Sequence, residues 1–253
     1  MKSDFTKTGL VCYNEIMSGQ KVILANDEYY HVILRAVGDT VVFDEESDFY
    51  RGIFSIYEFN NDRGVNIWNR RKERNIEKKN LLSQTPQNLR ERDKFVEILA
   101  FSFMPNHLHL ILKQIKENGI SKFMQKVGTG YANYFNKKYS RMGHLFNKFK
   151  AIHISNDSQL KIVFAYIHTN LISLIEPGWK EKGIENPEKV KEFLENNKRH
   201  SYSDYLGKNN FKSVTEREFL LNLLGGEEGC RNSINDWIMQ KEEIKNGRSI
   251  ILE

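Results

Sequence analysis

His107-Leu108-His109 is the first place in this chain where side-chain types and spacing could do chemistry. On a β-strand, alternate residues point to the same side, roughly 6–7 Å apart along it. Both imidazoles then face one way, while Leu108, Leu110 and Leu112 face the other. Two histidines so placed can grip one metal ion, because imidazole is the commonest ligand for divalent transition metals. A bare His-x-His is more often a pair of half-exposed strand histidines. What strengthens it here is the turn just before it, Met104-Pro105-Asn106, which makes it the second strand of a hairpin.

A third donor and a nucleophile would have to come from elsewhere. A helix expected over about 158–174 has an apolar stripe at Leu160, Val163, Ile167, Leu171 and Leu174. Tyr166 and Asn170 are four residues apart, so they share one face. Each precedes a stripe residue by about 100° of rotation, which puts both at the edge of the buried face. An amide oxygen can complete a metal site, and a phenol one turn away would sit beside whatever the metal polarises. Taken alone, a boundary tyrosine and a surface asparagine explain the same two letters. Tyr131, Tyr134 and Tyr139 compete for the nucleophile's role, but Tyr131 and Tyr134 fall on an apolar helical stripe.

The elements that must position these residues follow from periodicity. Tyr29–Arg35 (YYHVILR), 95–103 (FVEILAFSF), 107–113 (HLHLILK) and 149–155 (FKAIHIS) read as strands. Helical patterns cover about 45–57, 119–139 and 158–174, the last capped by Asn156 or Asp157. The order strand, helix, strand, strand, helix, strand predicts an α+β, ferredoxin-like antiparallel sheet with helices on one face and the other free for a site. Residues 1–28 read as an N-terminal arm and 29–175 as the catalytic domain. A polar, basic insertion interrupts it at about 59–94, with Arg70, Arg71, Lys72 and Arg74 clustered there. Residues 176–253 read as a C-terminal helical extension, with helical patterns opening at Asn186-Pro187 and lying near 215–224 and 233–245, while 201–206 (SYSDYL) can dock back on the core.

Bulk composition narrows the class. A hydrophobic fraction of 40% with 28% charged residues describes a folded globular chain rather than a disordered one. Net charge +5 permits nucleic-acid binding without requiring it. Two distant cysteines, Cys12 and Cys230, fit a reduced compartment, and no apolar run is long enough for a signal sequence or a membrane span. The expected location is the cytoplasm. Residues 137–150 (KKYSRMGHLFNKFK) carry Lys137, Lys138, Arg141, Lys148 and Lys150 with no acid and with aromatics interleaved. Lysine and arginine neutralise phosphates and aromatic rings stack on unpaired bases, so this stretch is a candidate DNA contact, weighed against an ordinary solvated face.

Several of these segments together resemble one family. Met104 to Leu112 is similar to the His-hydrophobic-His strand of the HUH single-tyrosine transposases, above all their REP-associated branch. Gly143 to Lys150 resembles that branch's Gly-x-Leu-Trp-x-x-Arg-Phe-Lys segment, and Tyr166 to Leu171 its Tyr-Ile-x-x-Asn-Pro helix. Tyr30–Arg35 and Ser201 to Tyr205 match its first strand and tail, so the similarity runs from about 29 to 206. Leu171, Phe146 and Lys148 depart from its Pro, Trp and Arg. The resemblance implies His107, His109 and Asn170 as ligands of Mg²⁺ or Mn²⁺ and Tyr166 as the nucleophile. It implies single-stranded or hairpin DNA as substrate, contacted by Arg35 and the basic stretch, and a monomer or homodimer. A domesticated hairpin-binding protein without catalysis, and a phosphodiesterase that uses water, are the rival readings.

Overall fold

The structure is a computed structural model that describes residues 23–64, 70 and 92–245. Most of the arm, Cys12, and the insertion's Arg71, Lys72 and Arg74 lie outside the described residues.

Four strands form one sheet: β1 (Tyr29–Arg35), β2 (Val96–Met104), β3 (His107–Gln114) and β4 (Lys150–Ile154). Their spatial order is β2-β3-β1-β4, and every neighbouring pair is antiparallel. This is the split arrangement expected from the element order: β3 inserts between β1 and β2, and β4 closes the far edge. Helix α1 (Glu46–Glu58) connects β1 to β2, and α2 (Gly119–Lys138) connects β3 to β4.

Alternation sends Tyr30, Val32, Leu34, Leu108, Leu110 and Leu112 to one face, where they pack with Ile53 and Ile56 of α1 and Phe123 and Val127 of α2. The helices approach closely. A methyl group at Gly52 would meet the Phe103 ring at 2.5 Å, and one at Gly130 the Phe59 ring at 2.3 Å. In β2 the register slips between Ile98 and Ala100, so Leu99 is an extra residue. Val96 and Ile98 before the bulge, and Phe101 and Phe103 after it, all reach the same core. A bulge is what allows even and odd positions of one strand to share a face.

The two connecting helices stand on one face as expected, but the opposite face is not left bare. Helix α3 (Asp157–Thr169) starts at Asn156, whose side chain accepts from the Gln159 amide at 2.9 Å, and crosses that face. A 3-10 segment, Asn170–Leu174, follows it. The chain continues through α4 (Trp179–Lys182), α5 (Pro187–Asn196), α6 (Tyr202–Tyr205), α7 (Glu218–Leu224) and α8 (Gly226–Lys245). Leu160, Val163 and Ile167 of α3 form a second core with Leu99, Ala100 and Ile111 of the sheet and Val190, Leu194 and Ile234 of the extension. Leu174, read from the sequence as part of the stripe, is exposed. The cause is the change of helix type at Asn170: a 3-10 turn advances 120° per residue rather than 100°, and rotates Leu174 outward. Among the described residues, the end of this second face near His107 is open.

Among the described residues, no helix is long and apolar enough to cross a membrane.

Candidate functional site

The open end of the second face is a cavity of about 480 Å³. His107, His109, Tyr166 and Asn170 all line it. Strand pairing explains the first half of this set. His107 lies opposite Arg35 and Met104, and His109 opposite Ile33 and Ser102, all on the same side of the sheet. The two rings stand edge to face with centroids 4.7 Å apart. Helix α3 supplies the second half. Its backbone bond from the Asn170 amide to the Tyr166 carbonyl keeps the two residues one turn apart on the face turned to the histidines. The Tyr166 ring lies 6.0 Å from the His109 ring, edge-on.

Hydrogen bonds fix which nitrogen of each imidazole carries its proton. Asn106 Oδ1 can only accept, so the contact at 2.6 Å makes His107 Nδ1 the donor. In the neutral ring, Nε2 is then a free lone pair. The Asn106 amide in turn donates to Asp39 at 3.3 Å, which also pairs with Arg35. At His109, Nε2 lies 3.4 Å from Asn170 Nδ2, a group that can only donate. Nε2 is therefore the acceptor, and Nδ1 donates to His31 Nε2 at 2.8 Å. His31 and His109 are both fully buried, at 0% and 3% exposure.

Burial also sets the charge state. Desolvation, reinforced by Arg35 and Lys180, lowers the His107 pKa to about 4. His31 falls to about 3, again chiefly by burial, with His107 contributing. Burial first, and then the neighbouring histidines and cations, hold His109 well below the ordinary imidazole value. All three rings are neutral near pH 7, the form that binds metals.

No cluster of three or more His, Cys, Asp or Glu able to hold a metal exists among the described residues. Of the side chains lining the cavity, Asn170 offers an amide oxygen as a third ligand. That oxygen already accepts a cation: Lys180 Nζ donates to Asn170 Oδ1 at 2.8 Å. Two Nε2 lone pairs and an amide oxygen with affinity for positive charge fit a divalent ion of the Mg²⁺ or Mn²⁺ kind. The charged side chains in the rest of the lining are Arg35, Lys148, Lys150 and Lys180, with no carboxylate among the described residues that line it. Such a wall suits a phosphate.

The basic residues expected from the sequence divide. Arg35, Lys148 and Lys150 line the cavity. Lys137, Lys138 and Arg141 do not, and Lys138 is tied to Glu45 and the buried Asp48. Tyr131 is core, its hydroxyl bonded to the Asp48 carbonyl, and Tyr139 donates to the Asp48 carboxylate at 2.6 Å. His168 is buried between the Phe164 carbonyl and Ser201. Two residues of the site carried little signal in the sequence. His31 has no motif of its own in the sequence, and the β1–β3 register sets it diagonally beside His109. Lys180 lies on a four-residue helix beyond the motifs, where nothing in the spacing marks it.

A ferredoxin-like antiparallel α+β sheet thus presents a histidine pair, an asparagine and a tyrosine in one cationic cavity. Residues 63–170, which contain all four of those side chains, match the family described as "Transposase IS200 like". Over this segment the chain is similar to the IS200-like transposases. Among solved structures, the REP-associated tyrosine transposase bound to a REP hairpin is 12% identical, with a TM-score of 0.45 over 80% of this chain and 96% of that one. A protein of Deinococcus radiodurans R1 described as a transposase is 17% identical, with a TM-score of 0.30 over 58% of this chain and 93% of the other. A bacterial tRNA(His) guanylyltransferase-like protein in complex with ATP is 8% identical, with a TM-score of 0.36 over 77% and 81%. No curated protein matches the sequence.

Proposed function

We propose that this transposase cuts and rejoins single-stranded DNA through Tyr166, with His107, His109 and Asn170 as ligands of Mg²⁺ or Mn²⁺ and hairpin-forming repeats as targets. The observation that carries the reading is the meeting of these four side chains, from a strand and a distant helix, in one cavity walled by cations.

The metal, when bound, polarises the scissile phosphate and offsets its developing charge. The chain's own groups do the rest. Arg35, Lys148 and Lys150 hold the flanking phosphates and keep the strand in register. The Tyr166 phenol oxygen attacks phosphorus, the bond from phosphorus to the 3′ oxygen breaks, and a 5′-phosphotyrosine and a free 3′-hydroxyl result. The phenolic proton ends on the leaving 3′ oxygen or in solvent. Because the phosphodiester energy is kept in the tyrosyl ester, a 3′-hydroxyl can reverse the step and join strands without ATP. His31 keeps the proton of His109 on Nδ1, so that Nε2 carries the lone pair.

The test is a labelled single-stranded hairpin oligonucleotide incubated with the protein and Mg²⁺ or Mn²⁺, then run on a denaturing gel. A slow-moving protein–DNA species that Tyr166→Phe abolishes is expected. Cleavage that survives Tyr166→Phe would mean water is the nucleophile. Binding with no cleavage by the wild type would mean a hairpin-binding protein that has lost its chemistry.

A further inference from the structure

The oxygen that a metal would need is held by a side chain from the segment after residue 170, beyond the part of the chain that matches the family. Lys180 Nζ donates to Asn170 Oδ1 at 2.8 Å and lies 5.2 Å from the centre of the Tyr166 ring. This contact does two things to Asn170. It occupies the carbonyl oxygen with a positive charge, and it turns the amide so that Nδ2 faces His109 Nε2 at 3.4 Å. The N–H group therefore caps the very lone pair through which His109 would bind. For a divalent ion to take His109 and Asn170 together, the amide must turn over and the ammonium must leave, because two cations on one amide oxygen repel each other.

We propose that Lys180 is a positioning residue that competes with a divalent ion for Asn170: its ammonium stands where the ion's charge would act, and metal binding requires its displacement. The inference rests on the reading of His107, His109 and Asn170 as ligands. The displaced ammonium has an obvious destination, since the cavity it lines is where a phosphate would arrive and no carboxylate lines that cavity to compete. Metal and DNA would then load cooperatively, the phosphate drawing Lys180 off the amide. A lysine is suited to this because its flexible stem lets the charge swing while its backbone stays fixed in α4. Trp179 beside it is buried and anchors that helix.

The experiment is titration of the free protein with Mn²⁺ alone, counting unbound ion by electron paramagnetic resonance. The proteins are wild type, Lys180→Met, and Lys180→Met combined with His109→Ala. Removing one charge-assisted hydrogen bond at an exposed side chain should tighten Mn²⁺ binding about tenfold in Lys180→Met, and the added His109→Ala should abolish the gain. Lys180 is exposed, so the methionine variant should fold as the wild type does, which far-ultraviolet circular dichroism checks. Equal or weaker Mn²⁺ binding by Lys180→Met than by wild type overturns the competition and leaves the ligand assignment standing. If neither wild type nor Lys180→Met binds Mn²⁺, or if the double variant binds as tightly as Lys180→Met, the ligand assignment itself fails and the competition falls with it.

Discussion

Replacing His31 tests the electronic arrangement of the site without touching a proposed ligand. His31 Nε2 accepts the Nδ1 proton of His109 at 2.8 Å, and both rings are sealed from solvent. His31→Phe keeps a flat ring of similar size but removes the acceptor. A buried N–H left without a partner costs about 1–3 kcal/mol of folding stability. The loss for metal binding comes on top of that. With no acceptor at Nδ1, His109 is free to move its proton to Nε2, where it blocks the ligand position. Groups that orient a metal-bound histidine in this way typically account for about 10–100-fold in affinity. Mn²⁺ titration should therefore show a drop of that size in His31→Phe, and urea unfolding should show the stability loss. His31→Gln, whose carbonyl oxygen can accept, should recover part of both. A folded His31→Phe that binds Mn²⁺ as tightly as wild type would refute the tautomer argument.

Acid should destabilise the fold through a different histidine. His200 is fully buried, and desolvation lowers its pKa to about 4. Between pH 4 and the unfolded value near 6.5, the unfolded chain binds the proton and the folded chain does not. Stability is thus complete above about pH 6.5 and falls with pH, by about 2 kcal/mol at pH 5 from this group; urea midpoints should drop accordingly, and His200→Gln should flatten the profile. Gly130→Ala should lose about 1–3 kcal/mol of stability, because the added methyl overlaps the buried Phe59 ring; an unchanged thermal midpoint would show that the ring can move aside. Lys148→Ala and Lys150→Ala should each reduce the slope of log binding constant against log salt by about 0.7–0.9 for a DNA ligand, as the loss of one phosphate contact requires. An unchanged slope would remove that lysine from the DNA path.

Much of this was legible in the sequence, and the reasons differ residue by residue. Strand β1 runs from Tyr29 to Arg35 as read, because a run of aromatic and β-branched residues is a local signal. His107 and His109 could be put on one face by strand alternation, and Tyr166 and Asn170 by helical spacing. That the two pairs meet depends on α3 crossing the second face, which the element order had left free; the family resemblance implied that the four residues act together, and periodicity did not. The bulge at Leu99 could not be read, since FVEILAFSF is apolar almost throughout and carries no alternation to break. Helix α8 begins at Gly226, earlier than the apolar pattern near 233, because Gly225 and Gly226 at positive φ stop α7 and an acidic first turn, Glu227 and Glu228, starts the new helix. The cover that the extension gives the second face is a tertiary outcome: Val190, Leu194 and Ile234 each look like half of an ordinary amphipathic helix until they find the sheet.

The extra residue in β2 has a consequence for the wall of the cavity. By shifting the strand's phase half a pleat, Leu99 sends Phe101 and Phe103 down into the first core and brings Ser102 and Met104 up as the cross-strand neighbours of His109 and His107. With the insertion removed and the hairpin turn kept, the rest of the strand would have to invert its pleat or slide one step along its partner. Either the upstream Val96 and Ile98 would abandon their packing, or two phenylalanine rings would crowd the imidazoles. One leucine thus sets how much room the paired histidines have.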